Sequence, residues 1–225
     1  MVASATTVPA VRRPKALVVN ALHEACDRIG VWASIHTGTR RAGRFGAFGQ
    51  GSLICFPWAA LYGEHAIHIG RDTLIGPYVS ISAGMVPGQE LVRDRIVTVG
   101  DRCMIGRGTH LVGHFSLHVG DDVYTGPNVY ITDQNHAWSA HDVPIGRQAA
   151  PEEPVAIGAG SWLGAGVAIL PGVTVGRHVA VGAGSIVTRD LPDHSVAVGS
   201  PARVVGERGP GADSEVSPPW PGPAA

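Results

Sequence analysis

The sequence predicts an all-β fold, with short strands joined by tight corners and stacked in coils to make a three-sided prism. Three observations predict it. Aliphatic residues recur every six positions: Ile69, Ile75 and Ile81; Val99, Ile105 and Leu111; Val119, Thr125 and Ile131; then an unbroken run of Ile157, Leu163, Ile169, Val175, Val181 and Val187. Of these fifteen units, fourteen begin with Ile, Leu or Val, and ten place glycine second. The five without it carry Ser82, Val112, Thr132, Leu170 and Thr188, each in the third unit of a triplet. The full repeat is therefore eighteen residues, one coil with three faces. A period of six matches neither a helix face nor simple strand alternation. It suits a strand that turns a corner. The leading aliphatic and the small residue four places later point inward, and glycine eases a corner where φ turns positive and a side chain would clash. Stacked coils pair about 4.8 Å apart. Five of them enclose a narrow aliphatic core behind parallel walls, each coil touching mainly its neighbours.

Along the chain, residues 1–44 form an N-terminal segment, with a short helix expected within 15–35. Residues 45–68 are rich in glycine and aromatics and read as irregular lead-in coils to a domain spanning 45–206. Extra residues at 87–98, 117–118 and 137–156 all follow the third unit of a coil. They leave the prism at one corner, and a decorated corner on a regular rod is where a site is expected. From residue 207 the tail has no apolar period and is expected to be disordered.

Composition sets limits. Lys+Arg number 17 against Asp+Glu 18, which argues against a nucleic-acid partner. No apolar run approaches the ~18 residues of a membrane span. Residues 16–25 follow Arg12, Arg13 and Lys15 in the manner of a signal peptide, but Asn20, His23 and Glu24 interrupt the apolar run and no small-residue cleavage site follows. Cys26, Cys55 and Cys103 are odd in number and widely spaced, which fits a reducing, cytoplasmic setting. Glycine supplies 31 of 225 residues, about twice the usual ~7%. With 44% hydrophobic residues, that reads as frequent tight turning and not as low complexity.

The stretches ITDQNHAW (131–138), SWLGAGVAILPGVTVG (161–176), VGAGSIVTRDLP (181–192) and VGSPARVV (198–205) resemble the hexapeptide-repeat acyltransferases, in the branch of galactoside, maltose and polysaccharide O-acetyltransferases. The resemblance covers about residues 45–206. It implies a left-handed parallel β-helix, a hexapeptide-repeat solenoid whose hand departs from the general crossover rule. It also implies a homotrimer, with acetyl-CoA as co-substrate in the groove between chains and no permanently bound cofactor. His136 matches the family's catalytic histidine. Gly164 and Ala165 match backbone contacts to acetyl-CoA, with the Ala165 amide a candidate donor to the thioester oxygen. Ala183 and Thr188 match further contacts. Arg189 takes the place of a common lysine and Arg203 that of a phosphate-binding arginine, and both suit nucleotide phosphates. A second family arginine is Gly206 here, with Arg208 nearby. Where the galactoside enzymes present an Asn and an Asp to the sugar, this chain has Gly108 or Thr109, and Gly113 or His114.

Acyl transfer to an alcohol needs a base near neutral pH, donors aimed at the oxyanion, and two substrates held together. His136, at the mouth of the 137–156 insertion, is the candidate base. Asp133, Asp142 and Glu153 are candidates to hold its second nitrogen, with Asp133 preferred. Asn135 stands where a small core residue is usual, either to contact the acceptor or to fix the corner. His118, eighteen residues before His136, is expected at the same corner one layer away. It serves there either as a neighbour that disfavours protonation of the base or as a structural polar group. His114 is a candidate acceptor-binding residue. His110, His114 and His118 recur every four residues, a spacing that suits a zinc site on a helix but not on coil, so no metal is expected. Trp162 points outward, toward the insertion or a neighbouring chain. The favoured function is O-acetylation of a sugar or glycan hydroxyl. The alternatives are N-acetylation of an amino sugar, a metal enzyme like the γ-class carbonic anhydrases, or a noncatalytic scaffold.

Overall fold

The computed structural model describes residues 13–209. A helix, Arg13–Trp32, is longer than the short one expected. Its apolar residues Val18, Leu22, Ile29 and Trp32 all face solvent. The chain enters a sheet at Ile35–His36, ahead of residue 45, through antiparallel pairing with Leu53–Ile54. Residues 210–225 of the expected tail lie outside the described residues. Glu207 still belongs to the strand Ala202–Glu207, and the Arg208 N–H donates to the His194 carbonyl.

The body is three walls of short strands that pair in parallel, and from Ala47 to Val187 the chain visits the walls in strict rotation. Wall one has nine strands, wall two six and wall three six. Among the described residues, the strands of the walls pair antiparallel only at the two ends of wall one. Wall two contains Ala60–Tyr62, Ser80–Ala83, His110–Gly113, Tyr130–Thr132, Ala168–Ile169 and Ile186–Val187. Wall three contains Ala47–Phe48, Ile67–Ile69, Val97–Val99, Leu117–Val119, Val155–Ile157 and Thr174–Val175. The irregular-looking segment 45–68 thus supplies a full rung: Ala47 pairs with His68, Leu53 with Leu74 and Leu61 with Ile81.

The leading residues of the six-residue units stack as columns. On wall two the register runs Ile81, Leu111, Ile131, Ile169, Val187. On wall three it runs Ile69, Val99, Val119, Ile157, Val175. These ten residues are all at most 2% exposed, and each such burial contributes about 1.5–3 kcal/mol. The small residues four places later fill the corners from inside. Thr73, Cys103 and Ser161 donate to the carbonyls of Gly100, Gly120 and Gly176 on the next rung, at 2.7, 3.1 and 2.9 Å. A buried hydroxyl or thiol is tolerated because it is bonded. Burial pushes the Cys103 thiol up to about 11.

Of the two reasons expected for the glycines, the structure shows the clash and not the positive φ. None of the ten in second place has positive φ, which instead falls two residues later, at Asp72, Arg102, Asp122 and Asn128 among others. Second-place glycine is needed because rungs touch there. A Cβ on Gly126 would lie 2.6 Å from the Ala165 nitrogen, and one on Gly164 would lie 2.6 Å from the Ala183 nitrogen.

Candidate functional site

All three insertions leave at the corner between walls two and three, occupying residues 84–96, 114–116 and 133–154. All three begin earlier than the expected 87–98, 117–118 and 137–156, the middle one because Leu117 and His118 are strand residues paired with Val155 and Ala156. The insertions touch one another. Arg93 of the first lies over the Phe115 ring of the second, 3.8 Å from its centroid.

Asp133 sits at the centre of this corner with 0% exposure. Its Oδ1 accepts the His114 N–H at 2.8 Å, and its Oδ2 accepts those of Phe115 and Ser116 at 2.8 and 2.7 Å. Its main-chain carbonyl accepts the Glu153 N–H at 2.8 Å. Gln134 and Glu152 form an antiparallel bridge, and Asn135 N–H donates to the Pro151 carbonyl. Segments 133–135 and 151–153 are thus the neck of a hairpin. Its outer part is braced by Gln148, which bonds Ala140 and Val143.

His136 projects from this neck and is exposed. Its main-chain N–H donates to Asn135 Oδ1 at 2.9 Å. His114 is buried, with Nδ1 3.9 Å from Glu152 Oε1. Burial lowers its pKa, while the carboxylates of Asp133 and Glu152 work in the opposite direction. The result is a neutral imidazole beside an acidic group at the foot of the loop that bears His136. Glu152 is the more accessible of the two, its side chain 33% exposed against 6% for His114.

Two expectations are corrected. Asp133 does not orient the imidazole of His136, because both its oxygens are taken by the main chain of 114–116. His118 is not stacked under His136. Its neighbours one rung away are Thr98 and Ala156, since the 133–154 insertion intervenes before the chain regains wall three. His118 instead lines a shallow groove of about 450 Å³ on wall three, with Ala156, Thr174 and Arg177. His110 faces outward on wall two beside Tyr130, so His110, His114 and His118 fall on wall two, the corner and wall three respectively.

Gly164, Ala165 and Ala183 line the opposite edge of wall two, at its corner with wall one. There Gly164 N–H donates to Val181 and Ala165 accepts from Gly184. Thr188 and Arg189 follow the last strand of wall two on the decorated side, and Arg203 lies on the terminal hairpin with its guanidinium donating to the Ala202 carbonyl. All three are exposed. Trp162 is 49% exposed on the outer face of wall one, paired with Tyr124 and Ala180. Asp142 and Glu153 are exposed, and Glu153 meets the corner through its main chain. Sequence reasoning missed Glu152. In Pro151-Glu152-Glu153-Pro154 nothing local distinguishes the two carboxylates, and only the hairpin register turns Glu152 toward His114.

Two family profiles match, "Bacterial transferase hexapeptide (six repeats)" over residues 154–189 and "Hexapeptide repeat of succinyl-transferase" over 96–133. A probable acetyltransferase of Mycobacterium tuberculosis is 36% identical over 63% of this chain and 44% of its own length. The galactoside O-acetyltransferase of Lactococcus lactis is 35% identical over 51% of this chain and 65% of its own. The chain thus spans less than two thirds of the length of these two relatives. A putative acetyltransferase of Staphylococcus aureus is 38% identical over 52% of this chain and 68% of its own length. Among solved structures, AntD, an N-acyltransferase from Bacillus cereus in complex with dTDP and coenzyme A, superposes with TM-score 0.63 at 22% identity over 78% of this chain and 92% of its own. Perosamine N-acetyltransferase from Caulobacter crescentus, in complex with CoA and GDP-perosamine, does so with TM-score 0.50 at 25% identity over 69% and 57%. From its repeat, its walls and these matches, the chain belongs to the hexapeptide-repeat acyltransferase family.

Proposed function

We propose that the protein is an acetyl-CoA-dependent O-acetyltransferase acting on a sugar or glycan hydroxyl, on a left-handed β-helix, with His136 as the general base. The observation that carries this reading is the decorated corner, where a hairpin rooted on Asp133 carries His136 and sets Glu152 beside the buried His114. His136 takes the hydroxyl proton as the acceptor oxygen attacks the thioester carbonyl. The Ala165 amide of a neighbouring chain donates to the oxyanion. Collapse breaks the C–S bond, and the leaving thiolate recovers the proton from the imidazolium. Neutral His114 and Glu152 bind acceptor hydroxyls. Arg189 and Arg203 meet the nucleotide phosphates.

Gly164, Ala165 and Ala183 lie on the far edge of wall two from His136, so one chain does not close the site around both substrates. This supports a homotrimer with sites between chains. The exposed apolar tip of the hairpin, Trp138, Val143 and Ile145, and the outward Tyr124 and Trp162 support it too. A cytoplasmic setting is part of the same reading. No helix among the described residues is long and apolar enough to cross a membrane.

The likeness to perosamine N-acetyltransferase favours a second reading, transfer to the amine of an amino sugar. The test is coenzyme A release from acetyl-CoA with a panel of sugars and amino sugars, wild type beside His136→Ala. Release with hydroxyl acceptors that collapses in the variant supports the first reading. Release with amines alone selects the second. Equal rates in both proteins remove His136 as the base.

A further inference from the structure

The carboxylate of Asp133 has 0% exposure, and its oxygens receive three consecutive main-chain N–H groups, from His114, Phe115 and Ser116. An ionised carboxylate is stable in such a place only when its oxygens are hydrogen-bonded, and bonds to a charged acceptor are about twice as strong as neutral ones. The three donors belong to the inserted turn that interrupts the six-residue repeat on the rung bearing His114. The acceptor belongs to the next rung, and it is the first residue of the hairpin that bears His136. The main-chain carbonyl of the same residue accepts Glu153 N–H and so closes the hairpin neck beside Glu152. One residue therefore bonds both insertions, each through its main chain.

We propose that Asp133 is a positioning residue for the acyl transfer, a clasp that sets His114 and Glu152 at a fixed distance from His136 by bonding the main chains of both loops. This rests on the reading of the corner as an acyl-transfer site. The clasp acts through the backbone. Its loss spreads the acceptor-binding and base-bearing loops apart while leaving the basicity of His136 and the distant Gly164–Ala165–Ala183 edge untouched. Positioning of this kind is sensitive, since a misplacement of about 1 Å costs on the order of 10²-fold in rate.

The experiment compares the full chain with Asp133→Asn and Asp133→Ala, the first keeping one acceptor oxygen in case the second fails to fold. Two readouts are taken, steady-state kinetics against pH and hydrogen exchange of individual amides. In the variants, kcat/KM for the acceptor is expected to fall by about 10- to 10²-fold. KM for acetyl-CoA should stay within about twofold, with the pH of half-maximal rate unmoved. The amides of 114–116 and of 153 should lose protection together while those of Leu111 and Ile131 keep it. A moved pH midpoint would make Asp133 the partner of the base and overturn the clasp. So would unchanged protection at 114–116, or equal losses in both KM values. If the wild type transfers no acetyl group at all, the functional reading fails, and the exchange data alone uphold or overturn the clasp.

Discussion

Replacing Gly126 with alanine tests the contact between rungs directly. Gly126 does not have positive φ, so alanine is tolerated by the local backbone. Its Cβ, however, would stand 2.6 Å from the nitrogen and 2.9 Å from the Cα of Ala165, both main-chain atoms that cannot swing aside. Ordinary contact begins at about 3.4 Å, so the next rung must shift by close to 1 Å, and forced overpacking of this kind costs about 1–3 kcal/mol. Alanine also restricts the unfolded chain, which stabilises by about 0.4–1 kcal/mol. That gain is shared by Gly146→Ala, where a Cβ meets nothing within 4 Å and φ is again not positive. The difference between the two variants therefore isolates the overpacking. For a chain of this size about 2–4 °C accompanies each kcal/mol, so Gly126→Ala should melt about 2–12 °C below Gly146→Ala by calorimetry. With the proposed role of the Ala165 amide at the oxyanion, transfer should also slow in Gly126→Ala, because that amide is displaced. Melting temperatures that agree within about 1 °C would refute the account of second-place glycine as a rung-to-rung contact.

Further outcomes are expected. His136→Ala should lower acetyl transfer by roughly 10²–10⁴-fold, the size of a general-base contribution, with an unchanged melting temperature because the side chain is exposed. Leu111→Ala removes a fully buried column residue between Ile81 and Ile131, and should cost about 2–5 kcal/mol in denaturant unfolding. His114 has its folded pKa lowered by burial, so the unfolded chain takes up its proton first as pH falls. Stability should be insensitive to this group above its ordinary value and decline as pH drops below it, and His114→Gln should flatten that decline in melts from pH 8 to pH 5. A thiol reagent should label exposed Cys26 first and reach Cys103 only on unfolding, since the latter is buried with its thiol pushed up to about 11. Rapid native labelling of Cys103 would contradict its burial.

The period of six was legible because it is local: each leading aliphatic needs only to know that it faces inward, and that need recurs at a fixed spacing. The columns Ile81 to Val187 and Ile69 to Val175 follow from it, as does the corner where all three insertions emerge. The lead-in rung of Phe48, Ile54 and Leu61 was not legible, since an aromatic replaces its first leading aliphatic and extra residues on either side of Leu61 break the period of six. Counting eighteen residues from His118 to His136 failed because an insertion resets the register on the wall beyond it.

The sequence by itself determined the inward-facing set, the three-faced coil and the place where chemistry is exposed, since burial and turning are repeated requirements written in residue type. Only the tertiary structure decided which neighbours the irregular residues acquire. It gave the oxygens of Asp133 to the main chain of 114–116, brought Glu152 instead of Glu153 to His114, and set His118 against Ala156. Those partnerships depend on how two loops from successive rungs fold back on each other, and hydrogen-bond geometry across such a gap leaves no periodic trace along the chain.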